Sequence, residues 1–449
     1  MFDLLHTAKC RLFASPCLLA AASLALAATT LAAQVAGPVA PGAGNARAVQ
    51  IATSSPLVQS AYLYIGEQIL RLSDSNLRAQ SLDAILNPNT CVMHRANLQP
   101  ADRQAIVARM LAEGLLNPAD DLTFPGGLIT GVFPPVVHDN SACPHLPQPF
   151  VSAPGSSFGS HHSYPGGLPV HESNNETADI NLASEYHNVY GQADAGGQDF
   201  VNSIAIANPT PQQVSGYAPY INGDLIIGAP LWHDWAKSIV FQWNADGSEF
   251  PELSIGGAGA SMDDYGAAGD ARTGGHHILS IAESMKRGFS PAFIITQACA
   301  HSAPTSGNEF KVVNWIRAAA IIAQQDPIAK GYLAKDASGN LRLAALGAVG
   351  EVNLNAAGQT NILTEFELHN LSDADFTFSG PAVAADQLAL AQVASSFGYD
   401  PANVAVYNQK FRNVVLANYS AERLYTIFQT EGLDGIKYEV QLLRNKGSL

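Results

Sequence analysis

Basic residues are scarce in this chain. Lys and Arg total 23 against 38 Asp and Glu, a net charge of −15 over 449 residues. So acidic a protein lacks the broad basic face that gripping nucleic acid requires. Charged residues of both signs make up only 14% and hydrophobic ones 47%, which excludes a disordered chain and leaves ample apolar surface for two or three structural units. Cysteine is sparse too. Cys10 and Cys17 fall in the N-terminal segment, leaving Cys91, Cys143 and Cys299. In an oxidising compartment Cys91 and Cys143 can pair; two free thiols are the alternative. Cys299 reads as a small core residue. No P-loop is present, and no dinucleotide fingerprint follows a strand. Gly155-Ser156-Ser157-Phe158-Gly159 fits the letters of a nucleophile elbow, but a Pro-rich loop stands where that motif needs a strand.

Long apolar runs are limited to one. Residues 18–33 come after Lys9 and Arg11 and end in small residues, the pattern of an export signal cut after Ala32 or Ala33. The run is short for a membrane anchor. The sequence therefore predicts a signal peptide over 1–33, a Pro/Gly/Ala linker over 34–55, and a periplasmic or secreted protein with no membrane span after signal removal. Its oligomeric state is not written in the sequence.

Beyond residue 55 the chain is helical in pattern. Residues 56–72 and 100–116 carry apolar residues at helical spacing, and 117–157 reads as a long connecting loop, closing an N-terminal segment over 56–150. Helical patterning returns over 171–189, 224–240 (with Pro230 as a kink), 276–286, 291–299, 308–325 and in three stretches between 384 and 431. Period-two alternation at 350–354 and 364–369 predicts strands. The expected fold class is mainly α, with a smaller α+β region over 336–449. Trp232, Trp235, Trp243 and Trp315 read first as core.

The chemistry lies in the histidines. His161-His162-Ser163-Tyr164-Pro165-Gly166-Gly167-Leu168-Pro169-Val170-His171 forms one cluster. His233-Asp234-Trp235-Ala236-Lys237 closes an apolar run and forms a second; His276, His277 and His301 come later. Imidazole nitrogens plus a carboxylate suit a borderline or hard divalent cation. Adjacent residues on a helix point about 100° apart. His233 and Asp234 can thus share one metal lying between them, or Asp234 can bridge two.

These two segments resemble the HD-domain metal-dependent phosphohydrolase superfamily over residues 158–326, closest to the branch with a His-His-aromatic-Gly-Gly-Leu context. The resemblance implies an HD-type helical bundle over 151–335. It implies His171, His233 and Asp234 as metal ligands, with His277 and His301 as ligands of a second metal. His276 is the substitute for His277 if the register slips by one. His162 corresponds to a histidine near the substrate. Asp234 and Lys237 would act in catalysis. The expected cofactor is one or two divalent ions, with Mn, Fe, Ni, Zn and Mg not distinguished, and the expected partner is a small phosphorylated substrate. Alternatives are an HD-like di-iron oxygenase and an inactive periplasmic binding protein. The chain departs from the family at its closing Asp. Counting eight residues from Glu309 lands on Arg317, with Asn314 where a histidine is common. Arg317 is therefore expected to face the cavity and hold a substrate anion, with Asp326, or Asp263, Asp264 or Asp270, as a replacement ligand.

Overall fold

Ser55 and Pro56 start a long helix for reasons visible in the sequence. The Ser55 hydroxyl accepts from Val58 N at 3.1 Å, and Pro56 has no N–H to leave unpaired. Such starts recur through the computed structural model, which describes residues 41–190, 221–257, 271–304, 308–344, 346 and 363–449. In chain order the helices are α1 Asn45–Ser54, α2 Pro56–Ile69, α3 Ser75–Ser81, α4 Pro100–Ala112, α5 Asp120–Thr123, α6 Gly127–Val132, α7 Gly167–Tyr190, α8 Gly223–His233 and α9 Lys237–Val240. Then come α10 Gly275–Lys286, α11 Pro291–Ala298, α12 Glu309–Ile322, α13 Thr364–Ser372, α14 Phe376–Val393, α15 Val404–Tyr407, α16 Asn413–Tyr419 and α17 Ala421–Asn445. Strands are few. β1 Ser254–Ile255 pairs antiparallel with β2 Thr273–Gly274, and β3 Leu333–Lys335 with β4 Leu341–Leu343. The chain is mainly α, as its periodicity predicts. Among the described residues no helix is long and apolar enough to cross a membrane.

Three expectations need correction. The linker reading extends too far, because Asn45–Ser54 is helical and buries Ala48, Ile51 and Ala52. Residues 117–157 are not all loop, since α5 and α6 lie within them. Thr364–Ser372 is a helix, not a strand: Glu365, Phe366, Leu368, His369 and Ser372 are all buried. A period-two count places Glu365 and His369 on the wet side, whereas both face inward on a helical stripe. Residues 350–354 lie outside the described residues, as do Asp263, Asp264 and Asp270.

The helices that matter for function pack on one another. α8 contacts α7, α10, α11 and α13, and α7 also contacts α2 and α13. α8 is buried on every side, which its apolar sequence Gly223–His233 permits. Trp232, Trp235 and Trp243 are fully buried and donate their indole N–H groups to Ser81 Oγ, the Ala84 carbonyl and the Ser152 carbonyl. They are core residues, with no face left for a base.

The N-terminal third is tied down by a disulfide and an ionic hub. Cys91 and Cys143 are bonded, which settles their pairing, and Cys299 is buried and free. Glu283 on α10 accepts from the Met93 and His94 backbone N–H groups at 3.0 and 2.9 Å, and from Arg287 Nε at 2.8 Å. Burial alone would raise this carboxyl, but His94 and the Arg287 charge outweigh it and hold it at about 2. A depressed carboxyl stabilises the fold above its unfolded pKa near 4.5, and that contribution is lost as pH falls through about 2. The shift corresponds to about 3 kcal/mol. Comparing unfolding midpoints at pH 6 and pH 2.5, Glu283→Gln should be less stable than wild type at pH 6 and lose less on acidification. Equal acid sensitivity in the two proteins would show that Glu283 is not the group responsible.

Candidate metal centre

Four side chains from two helices and two turns converge beside the end of α8. His171 lies near the start of α7, and His233 is the last residue of α8. Asp234 sits where the helix breaks into the turn before α9, and Asp373 opens the turn between α13 and α14. All four are buried. His171 Nε2 is 3.1 Å from Asp234 Oδ2 and 3.3 Å from Asp373 Oδ1; His233 Nε2 is 3.4 and 3.3 Å from the same two oxygens. Two ligands held at about 2.1 Å from one ion lie about 3.0 Å apart at a right angle and about 3.4 Å apart at the tetrahedral angle. These spacings are compatible with donors around a single cation, and His171, His233 and Asp373 each place a donor atom within 4.8 Å of one another.

The orientation of the lone pairs agrees. His233 Nδ1 donates to the Pro230 carbonyl at 2.9 Å, so Nε2 is the nitrogen turned to the carboxylates, where a cation can take the place of its proton. His233 Nε2 and both Asp234 oxygens are buried without a partner in hydrogen-bond geometry, close as the two groups are. Burial disfavours charge on Asp234, yet His233, Lys237 and His276 hold its carboxylate well below the usual range. Asp373 is depressed the same way, burial being outweighed by His233 and His171. Lys237 is buried and ion-paired to Asp234 Oδ2, one helical turn along as the sequence suggests.

A second set of donors stands on the other oxygen of Asp234. His276 Nε2 is 2.9 Å from Asp234 Oδ1, and its Nδ1 is held by Glu252. His233, Asp234 and His301 each place a donor atom within 4.8 Å of one another. His301 Nδ1 is bound to Thr273 Oγ1 at 2.6 Å, so the β1–β2 ladder positions it. His277 does not join. Its Nε2 donates to the Ala298 carbonyl at 3.2 Å, and its ring stacks on His301 with centroids 4.2 Å apart. The phase of α10 turns His276 inward, the one-residue slip that the sequence leaves open.

Arg317 turns elsewhere. Its guanidinium meets Glu113 at 3.2 Å and Asn314 of its own helix at 2.8 Å. It lines a cavity of about 850 Å³ with Asp102, Arg109, Glu113 and Asp326, and none of the site histidines lines that cavity. Asp326 caps a turn there through Ile328 N and Ala329 N. The expected arginine at the cavity is thus corrected, and the further carboxylate found beside His171 and His233 is Asp373. His162 stands beside the centre, its ring centroid 5.2 Å from that of His171. Its Nε2 faces Glu422 at 3.3 Å and Asp375 at 3.7 Å, surroundings that repel an anion.

Sequence reasoning missed Asp373, Asp375 and His369, all in the segment read as strands and beyond it. It also missed a buried acidic stripe on α7. Glu172, Glu176 and Asp179 are all buried, and burial pushes Glu172 up to about 8 despite His233 nearby. Their spacing of four and three residues places them on one helix face, a signal that was present in the sequence.

The chain matches no protein-family model, no curated protein and no solved structure. What the centre can do is carried by its geometry: a mainly helical fold with buried His/Asp groups able to hold a metal ion.

Proposed function

We propose that the protein is a metal-dependent phosphohydrolase that acts on small phosphate mono- or diesters, of the HD type its motifs resemble. The observation that carries this reading is the quartet His171, His233, Asp234 and Asp373, with Lys237 seated on Asp234. Two imidazoles and two carboxylates suit Mn, Fe, Ni or Zn better than a hard ion such as Mg. A divalent ion bound there would supply Lewis acidity and bring the pKa of water down toward about 7. The protein's part is to hold the donors in a dry site. Asp234 presents one oxygen to each donor set, Lys237 orients it and offsets charge on phosphoryl oxygens, and Asp373 supplies the second anionic donor. An inactive binder loses its main motive, since Asp373 stands where a closing carboxylate is needed. We place the protein outside the cytoplasm, on the export pattern of its first 33 residues.

His276 stands on Asp234 Oδ1, and His301 groups with His233 and Asp234 as a second donor set, which favours two ions over one; two irons would also suit an oxygenase. One experiment separates the readings. The purified protein is stripped with chelator, reloaded with each candidate metal, and assayed with p-nitrophenyl phosphate, bis-p-nitrophenyl phosphate and an oxygen electrode. Metal-dependent release of nitrophenol is expected. Retained metal with no ester cleaved would reject the hydrolase, and oxygen uptake by the iron form alone would favour the oxygenase.

A further inference from the structure

Beyond this centre, on the far side of the His171 ring, lies a second convergence of donors. Three distant segments build it. His161 and His162 sit in the loop before α7, Asp375 closes the turn before α14, and Glu422 lies in the first turn of α17. The His162 ring is the pivot. Its Nε2 is 3.3 Å from Glu422 Oε1 and 3.7 Å from Asp375 Oδ2. The rings of His161, His162 and His171 form a triangle with centroid separations of 5.8, 5.2 and 4.9 Å. Each of the three can place a nitrogen within 4.8 Å of the others.

We propose that His162, Asp375 and Glu422, with His161 beside them, form a further binding site for a divalent transition-metal ion such as Zn²⁺ or Co²⁺, separate from the His171/His233/Asp234/Asp373 centre.

The first support is unmet bonding. Both oxygens of Asp375, Oε1 of Glu422 and Nδ1 of His161 are shielded from solvent and have no hydrogen-bond partner. Asp375 Oδ1 is 3.0 Å from His171 Nδ1 but outside hydrogen-bond geometry. Buried carboxylate oxygens without partners are rare and costly, and a cation meets that need at several oxygens at once. A further carboxyl without a partner lies beside this group. Asp386 on α14 is also fully buried with both oxygens unpaired, and burial together with the Glu422 charge pushes its carboxyl up to about 8.

The second support is the backbone that aims His162. This residue has φ 48°, the left-handed region that side chains seldom adopt. Two glycines allow it. Gly155 N donates to the His162 carbonyl at 2.9 Å, and a Cβ at Gly167 would lie 1.9 Å from that same oxygen. Ser379 Oγ then pins the ring at Nδ1, 3.2 Å away, so Nε2 is the nitrogen turned to the carboxylates. Strain of this kind persists where surrounding structure enforces it, often at a binding site. Imidazole with two carboxylates is a donor set for a borderline divalent ion. A cavity of about 570 Å³, lined by His162, Glu422, Ser420, Ser173, Asn174 and Thr177, gives an ion a path in.

The test uses the full chain. Crystals are grown with Co²⁺, and anomalous difference density is measured at the cobalt edge. The expected result is a peak within bonding distance of His162 Nε2 and Glu422 Oε1, resolved from any peak at His233. No peak there, whether or not the His233 centre is filled, overturns the proposal. In solution, Glu422→Gln and His162→Gln should each bind one equivalent of Zn²⁺ fewer than wild type after dialysis, and unchanged stoichiometry in both also overturns it. If either variant fails to fold, the wild-type density decides alone.

Discussion

Asp373→Ala should lose the metal held by His171 and His233, and with it at least about a thousandfold in phosphate-ester turnover. The side chain contributes one of only two carboxylates in the quartet, 3.3 Å from both imidazoles. Its removal leaves two buried histidines with Asp234 alone as the anionic donor, and Asp234 is already shared with Lys237 and His276. The fold should survive, because Asp373 lies in a turn between helices that are packed through Phe366, Leu368, Ala382 and Val383. Asp373→Asn is the companion variant, since it keeps shape and removes charge. Metal per chain, turnover and a thermal melt are measured on both. Wild-type metal content in both variants would remove Asp373 from the centre.

Arg287→Ala should destabilise the protein by about 3–5 kcal/mol, the range for breaking a buried charged pair. All three guanidinium nitrogens are engaged: Nε with Glu283, Nη1 with Gln80 and Asp83, Nη2 with Thr90 and the Cys91 carbonyl. The same group lies 5.5 Å from the Trp232 ring and 6.0 Å from the Trp235 ring. Those two tryptophans flank His233 and Asp234 in sequence, so the hub supports the segment that carries this His-Asp pair. Arg287→Lys should recover little, because an ammonium cannot reproduce the planar fork. Chemical unfolding measures the effect, and a loss below about 1 kcal/mol would show the hub to be dispensable.

Much of this architecture was legible in the sequence. The helices around the centre announce themselves by apolar spacing and by caps such as Ser55 and Asn222. The motif order brought His171, His233, Asp234 and Lys237 to attention, and the structure places them side by side. Two things were not legible. One was the phase of α10: neighbouring residues point about 100° apart, so choosing between His276 and His277 needs the packing of α10 against α8 and α12. The other was Asp373, 139 positions after Asp234 in a stretch whose buried Glu365 and His369 break the polar-outside rule. Arg317 shows the hazard of counting residues along one helix. The carboxylate that meets His171 and His233 arrives from a later helix hairpin, which no count from Glu309 can reach.

The quartet also sets an order of events during synthesis. Its first donor is residue 171 and its last is residue 373, so nearly half the chain separates them. While the nascent polypeptide emerges, His171, His233 and Asp234 are available long before Asp373 has been made. A partial chain therefore offers an incomplete ligand set with weaker hold on any ion. On the proposed reading, high-affinity capture would wait until α13 has docked on α7 and α8, which would make metallation a late step of maturation and one that reports on completed folding.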